Sequence, residues 1–288
     1  MPPAIKETRW AFTGSQSPSY DAPMVQVAVL TAARREKVAE KTLWEIHNRG
    51  RAWVFPQKVV LYSAPLDRKP PVTPLGWRVV HQYGPRGGGA DFRALVRLLD
   101  PTMDALVFED DVQPCRNALL AMYGAKVPDD CAFLSFYDIG GRYTKRSYHG
   151  IVRADPADGW WGNQALRLPW WVIRDFNNGR YEACFSNAQD TWLGNIARDR
   201  RLSIGVSAPS LVQHVGEDSL CNPGAGLTGI RGPSPMFPGQ DFDALTGRPL
   251  EWKPDHADSR ERITWCEFHG THHENATTCP MIETCGHK

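Results

Sequence analysis

The sequence predicts an α/β protein: an open, mostly parallel sheet flanked by helices, with a small Cys/His-rich module behind it. Short apolar runs alternate with helical patterns in the order β-α-β-β-loop-α-β through the first 115 residues, as in open α/β sheets. One of these runs, Ala105–Phe108, opens directly into Glu109, Asp110 and Asp111. Three Cys and four His crowd the last 23 residues.

Taken in order, residues 1–23 are polar and contain Pro and Ser, which reads as a loose N-terminal arm. Met24–Leu30 is an apolar run expected to form the first strand. Thr31, Arg34 and Arg35 follow, then a helix over Glu36–Asn48 with Val38, Leu43, Trp44 and Ile46 on its apolar side, ended by Gly50. Lys58–Tyr62 and Trp77–Gln82 read as strands. Tyr83–Ala90 is a Gly-rich loop, and Asp91 is placed to cap a helix over Phe92–Leu99. After the acidic strand, Asn117–Tyr123 is a short helix and Cys131–Phe136 a strand. Tyr137–Arg153 lacks a clean period and reads as a loop or hairpin. It carries Arg142, Lys145, Arg146, His149 and Arg153 between Tyr143 and Tyr148. Gly159–Leu166 reads as a turn leading to a helix over Pro169–Phe176. Thr191–Ala197 is a further helix, with Asp190 at its start. Ile204–Ser207 and Leu211–Val215 are expected strands around Pro209, and Cys221–Pro254 is a Gly/Pro-rich extension.

Three adjacent negative charges at the end of a buried strand repel one another and lose hydration. Hard oxygen ligands of this kind suit Mn²⁺ or Mg²⁺ carrying a phosphorylated substrate; the plain alternative is an acidic turn in solvent. Ligands of open α/β sheets bind at the carboxyl ends of the strands, where Thr31, Arg34, Arg35 and the three acids all fall. An arginine pair beside a carboxylate cluster suits a nucleoside diphosphate, while a solvated helix start is the other reading of Arg34 and Arg35. The basic, aromatic loop carrying Arg142, Lys145 and Arg146 suits sugar, phosphate or nucleic-acid contact, or is an exposed positive loop. Trp160 and Trp161 are adjacent and cannot both face one core; one is expected in the core and one as a stacking face. Asp190 is either an N-cap or a general base, and His214 either a core histidine or a metal ligand.

The formal net charge of +1 over 288 residues gives no global field towards nucleic acid or membrane. No apolar run approaches the roughly 18–20 residues of a spanning helix, and the N-terminus lacks a secretory pattern. The expected location is cytoplasmic. Cys115, Cys131, Cys184 and Cys221 are scattered and read as reduced, half-buried residues.

Several of these segments together resemble the glycosyltransferases of the GT-A fold, with the bacterial lipopolysaccharide-type galactosyltransferases and the N-acetylglucosaminyltransferase IV group as the nearest likeness. They are the first strand with its Arg-bearing loop, Phe108–Val112, Gly162–Leu166, Gln189-Asp190 and Pro209–Gly216, spanning residues 24–220. The resemblance implies a nucleotide-sugar donor, with a UDP-sugar expected. It places an Asp-x-Asp-type metal motif on Glu109–Asp111, where Asp111 is the direct ligand of Mn²⁺ or Mg²⁺, and a second ligand at His214. It implies nucleotide-sugar contacts at Thr31, Arg34, Arg35, Asp110, Gly162 and Gln164, and makes Asp190 the base of an inverting transfer. Glu-Asp-Asp departs from the family pattern, which leaves open which two carboxylates reach the metal.

In the tail, residues 261–288, Cys266-x₂-His269 and Cys279-x₅-Cys285 have spacings compatible with one structural Zn²⁺. His272, His273 and His287 are alternative fourth ligands, and the other reading is a disordered His-rich tail. Residues 221–260 read as an extension between the catalytic domain and this module. Two acceptors are compatible with the sequence, a glycan or lipid-linked sugar and a hydroxymethylated base of DNA. In the second case Tyr143–Arg153 and Arg198–Arg201 would meet phosphates. A non-catalytic, zinc-bearing nucleic-acid-binding protein is the competing class.

Overall fold

The structure, a computed structural model, describes residues 24–32, 36–83, 88–143, 150–186, 188–215 and 234–249, and by backbone alone the strands at 264–266 and 271–273. The chain divides into two units, Met1–Arg248 and Pro249–Lys288. The first is a three-layer α/β unit around an eight-stranded sheet of order β3-β2-β1-β4-β8-β6-β9-β7. The strands are β1 (Val25–Ala32), β2 (Lys58–Ala64), β3 (Arg78–Tyr83), β4 (Asp104–Glu109), β6 (Cys131–Ser135), β7 (Gly150–Ala154), β8 (Ala165–Leu168) and β9 (Ser203–Ala208). A separate two-stranded sheet pairs β5 (Val112–Pro114) with β10 (Val212–His214), antiparallel.

Side chains alternate across the sheet as strand geometry requires. Val25, Val27 and Val29 of β1, with Leu106 and Phe108 of β4, enter one core beneath α1 (Glu36–Asn48) and α3 (Ala118–Gly124). Ala28, Ala105 and Val107 enter the other. There they meet α2 (Gly88–Val96), α4 (Trp170–Asn177) and α5 (Gln189–Asp199). A sheet covered on both faces explains why β1 and β4 read as near-continuous apolar runs.

Four elements differ from expectation. The segment expected as a turn into a helix, Gly162–Leu166, contains the start of β8, which lies antiparallel between β4 and β6. Its signal is masked by brevity and by a charged residue, Arg167, in an Ala-Leu-Arg-Leu strand. Arg167 is accommodated because its guanidinium donates to Asp104 Oδ2 at 2.7 Å and to the Met122, Tyr123 and Ala125 carbonyls at the end of α3. Asp104 Oδ1 in turn accepts from the Trp170 amide, in the first turn of α4. The expected loop or hairpin over Tyr137–Arg153 yields the edge strand β7, antiparallel to β9. Asp91 is not a cap: α2 begins at Gly88, and the buried Asp91 carboxylate accepts from Ser63 Oγ and Gln82 Nε2, each at 2.8 Å. Finally, β10 leaves the main sheet to pair with β5.

The described part of the Gly/Pro-rich extension, residues 234–249, packs on this unit. Ser234 bonds Ser210 and Gln213, and Asp243 accepts from Asn117 Nδ2. In the second unit, Thr264–Cys266 pairs antiparallel with Thr271–His273, with Cys266 opposite Thr271. His269, Cys279 and Cys285 lie outside the described residues, as do residues 1–23.

Candidate active site

Three strand registers give each carboxylate of the acidic triplet its own partner. β1 runs parallel to β4 with Leu30 opposite Glu109, which sets Thr31 beside Asp110; Thr31 Oγ1 donates to Asp110 Oδ2 at 2.6 Å. β8 runs antiparallel to β4 with Ala165 opposite Phe108, which sets Gln164 beside Glu109. Here the Glu109 amide donates to the Gln164 carbonyl at 3.1 Å and Gln164 Nε2 to Glu109 Oε2 at 3.4 Å. β10 pairs His214 with Val112, so Val215 stands opposite Asp111 and its amide donates to the Asp111 carbonyl at 2.8 Å; His214 reaches Asp111 from the neighbouring register position, its Nε2 3.1 Å from Asp111 Oδ2. Asp110 and Asp111 are 3% and 1% exposed, so both charges sit inside the protein.

Burial of a carboxylate needs compensation by hydrogen bonds, a counter-charge or a metal. Asp110 has the Thr31 hydroxyl and serves as a tie between β1 and β4. Asp111 has an imidazole, itself a ligand type for divalent transition metals. The Asp111–His214 separation of 3.1 Å is that of a hydrogen bond or ion pair, and a carboxylate beside an imidazole is also a donor pair that would suit a divalent cation. Among the described residues no three His, Cys, Asp or Glu side chains converge as a ready-made metal site. Two ligands suit a cation whose remaining positions come from water and substrate phosphates. The Tyr137 ring faces His214, with centroids 6.4 Å apart. Its phenol is pushed well above the usual tyrosine range by burial, then by the charges of Glu109, Asp111 and Asp138, so it stays protonated beside the carboxylates.

The second half of the site is built on the loop before β8 and the first turn of α5. Trp160 is buried, edge-on to Phe133 and stacked on Tyr143, with centroids 5.2 Å apart. Its Nε1 donates to Asn163 Oδ1 at 2.9 Å, and Asn163 Nδ2 donates to Asp190 Oδ1. Gly162 has φ +134, and a Cβ there would stand 3.2 Å from the Tyr137 carbonyl, so glycine permits this turn. The Gly162 carbonyl is held by Ser135 Oγ at 2.8 Å. Asp190 lies within α5, not before it, and Gly194, one turn on, lets the helix approach Trp160; a Cβ at Gly194 would meet Trp160 Cβ at 3.2 Å. Trp161 is 38% exposed, and its amide donates to Tyr143 Oη at 3.1 Å. Arg142 Nη2 donates to the Asp158 carbonyl at 3.2 Å.

The structure thus brings together Thr31 with Asp110, Glu109 with Gln164, Asp111 with His214, and Asp190 with the Gly162–Gln164 turn. Arg34, Arg35, Lys145 and Arg146 lie outside the described residues. Sequence reasoning missed Asn163 and Tyr137. The usable signal for Asn163 was a small amide three residues after a Trp whose indole must find an acceptor. Tyr137 carried none beyond following a strand.

No protein-family model matches the chain, and no curated protein matches it. Among solved structures it is similar to the inositol-1-phosphate CTP transferase from T. maritima, with 9% identity and a TM-score of 0.39 over 64% of this chain and 85% of that one. It is also similar to a mannosyltransferase from Pyrobaculum calidifontis in complex with GDP-Man and Mn²⁺, with 15% identity and a TM-score of 0.43 over 70% of this chain and 61% of that one. Likeness at this level says nothing about chemistry. The class the chain's own geometry defines is a three-layer α/β protein with an acidic site at the carboxyl ends of its central strands.

Proposed function

We propose that this chain is a metal-dependent glycosyltransferase that moves a sugar from a nucleotide-sugar, a UDP-sugar, to an acceptor hydroxyl with inversion. The observation that carries the reading is the pairing of buried Asp111 with His214 at the end of the central strand, 3.1 Å apart. Asp111 and His214 would hold Mn²⁺ or Mg²⁺. When bound, the cation offsets the charge that gathers on the leaving diphosphate. Asp110 and Thr31 fix the rim between β1 and β4, and Arg34 and Arg35 are assigned to the nucleotide. Gln164 and Gly162 border the donor sugar. Asp190 accepts the proton of the acceptor hydroxyl as its oxygen bonds the anomeric carbon and the bond from that carbon to the diphosphate oxygen breaks. Buried Trp160 braces the turn, and exposed Trp161 offers a flat face to an acceptor ring, with Arg142, Lys145 and Arg146 nearby in sequence.

The test is incubation with UDP-sugars and Mn²⁺, reading release of UDP. Turnover by the wild type and its loss in Asp111→Asn by at least about a hundredfold is expected; turnover unchanged in Asp111→Asn contradicts the reading. In the tail, Cys266, His269, Cys279 and Cys285 are proposed to hold a structural Zn²⁺. Cys266 ends the first strand of its pair, opposite Thr271, and the Cys-x₂-His spacing to His269 is compatible with chelation. The zinc content of the purified chain tests this, and a value near zero refutes it.

A further inference from the structure

Asn163 is a buried polar side chain of the acceptor half of the site, 1% exposed, and its orientation is dictated by chemistry. The Trp160 indole is a donor without acceptor capacity, so the amide must turn its oxygen to Nε1, 2.9 Å away. The amide nitrogen then points at Asp190 Oδ1. A flipped amide would set an oxygen against a carboxylate and leave a buried indole N–H unpaired. Trp160 is itself fixed by Phe133, by the stacked Tyr143 ring and by the close approach of Gly194. Order therefore passes from a packed aromatic group, through one amide, to one carboxylate oxygen.

We infer that Asn163 is the positioning residue of the catalytic base: locked by Trp160, its amide orients the Asp190 carboxylate and holds it ionised. The inference rests on the reading of Asp190 as base. Other groups also stand around Asp190. The Tyr143 phenol lies in its field, with Asp138 accepting from the Tyr143 amide behind it. The 3-10 turn Pro156–Asp158, which packs on α5, brings carboxylates. On α2, which also packs on α5, Arg93 and Arg97 both pair with Glu182.

The experiment is a ¹³C NMR titration of the Asp190 carboxyl, assigned by difference against Asp190→Asn, in wild type, Asn163→Leu and Trp160→Phe. Loss of one hydrogen bond to an ionised group predicts a midpoint raised by about one to two pH units in Asn163→Leu. A smaller rise is expected in Trp160→Phe, where the amide remains but can flip. The acid limb of UDP release from UDP-glucose with Mn²⁺ should move with the midpoint. Should Asn163→Leu lose its fold by circular dichroism, Trp160→Phe decides. A midpoint within about 0.3 unit of wild type in the folded variants overturns the inference. If midpoints shift while Asp190→Asn releases UDP at the wild-type rate, the positioning stands and the reading of Asp190 as base falls.

Discussion

Asp110 turns its carboxylate back to the Thr31 hydroxyl, 2.6 Å away, while Asp111 meets the His214 imidazole. The two neighbours thereby differ: Asp110 ties two strands together, and Asp111, on the proposed reading, offers an oxygen to a cation. Across the site, Asp190 receives the Asn163 amide. Replacement by Asn removes the proton acceptor while nearly preserving shape. Asp190→Asn is expected to lower kcat for transfer by about 10²–10⁴-fold with little change in donor KM, measured by steady-state kinetics. The acids were legible in the sequence because a buried strand ran straight into them. The distinction between Asp110 and Asp111 was not, because it depends on which neighbouring strand each one faces. Asn163 was invisible for a similar reason: its role exists only once Trp160 has been buried.

At the scale of elements, the site depends on β8. This four-residue strand sets Gln164 against Glu109 and leads out of the turn that carries Asn163. The Arg167–Asp104 pair, with side chains 6% and 7% exposed, pins it. The same pair ties the carbonyl end of α3 to the start of α4. Arg167→Ala leaves a buried carboxylate without its cation and is expected to cost about 3–5 kcal/mol, measured by urea denaturation; a loss below about 1 kcal/mol would deny the pair this role. β1, β4 and α1 were readable from apolar period and length. β8 was not, because a charged residue in a strand of four reads as a turn until its partners are known. β7 was hidden likewise, by the basic residues around it.

At the scale of the whole molecule, one titration bears on folding. Burial, then the Lys58 charge, lowers His47 from its ordinary 6.5 to about 4. Its Nδ1 accepts from Trp77 Nε1 at 3.2 Å, which requires the neutral ring. Between these values the unfolded chain binds a proton that the folded chain refuses. Stability from this group is therefore full above pH 6.5 and lost as pH falls towards about 4. The urea midpoint is expected to fall across that window, and less steeply in His47→Gln; identical slopes would contradict the assignment. The layered α/β architecture was legible from element order. The strand order was not, since antiparallel β8 and β7 enter between or beside strands distant in sequence.

The central claim is that Asp111 and His214 seat a cation which grips a pyrophosphate. The most direct measurement is the dissociation constant of UDP by calorimetry, with and without Mn²⁺, for wild type and Asp111→Asn. The account predicts that Mn²⁺ tightens UDP binding to the wild type by at least about tenfold, and leaves the variant unchanged. Equal affinity with and without Mn²⁺ in the wild type would contradict it.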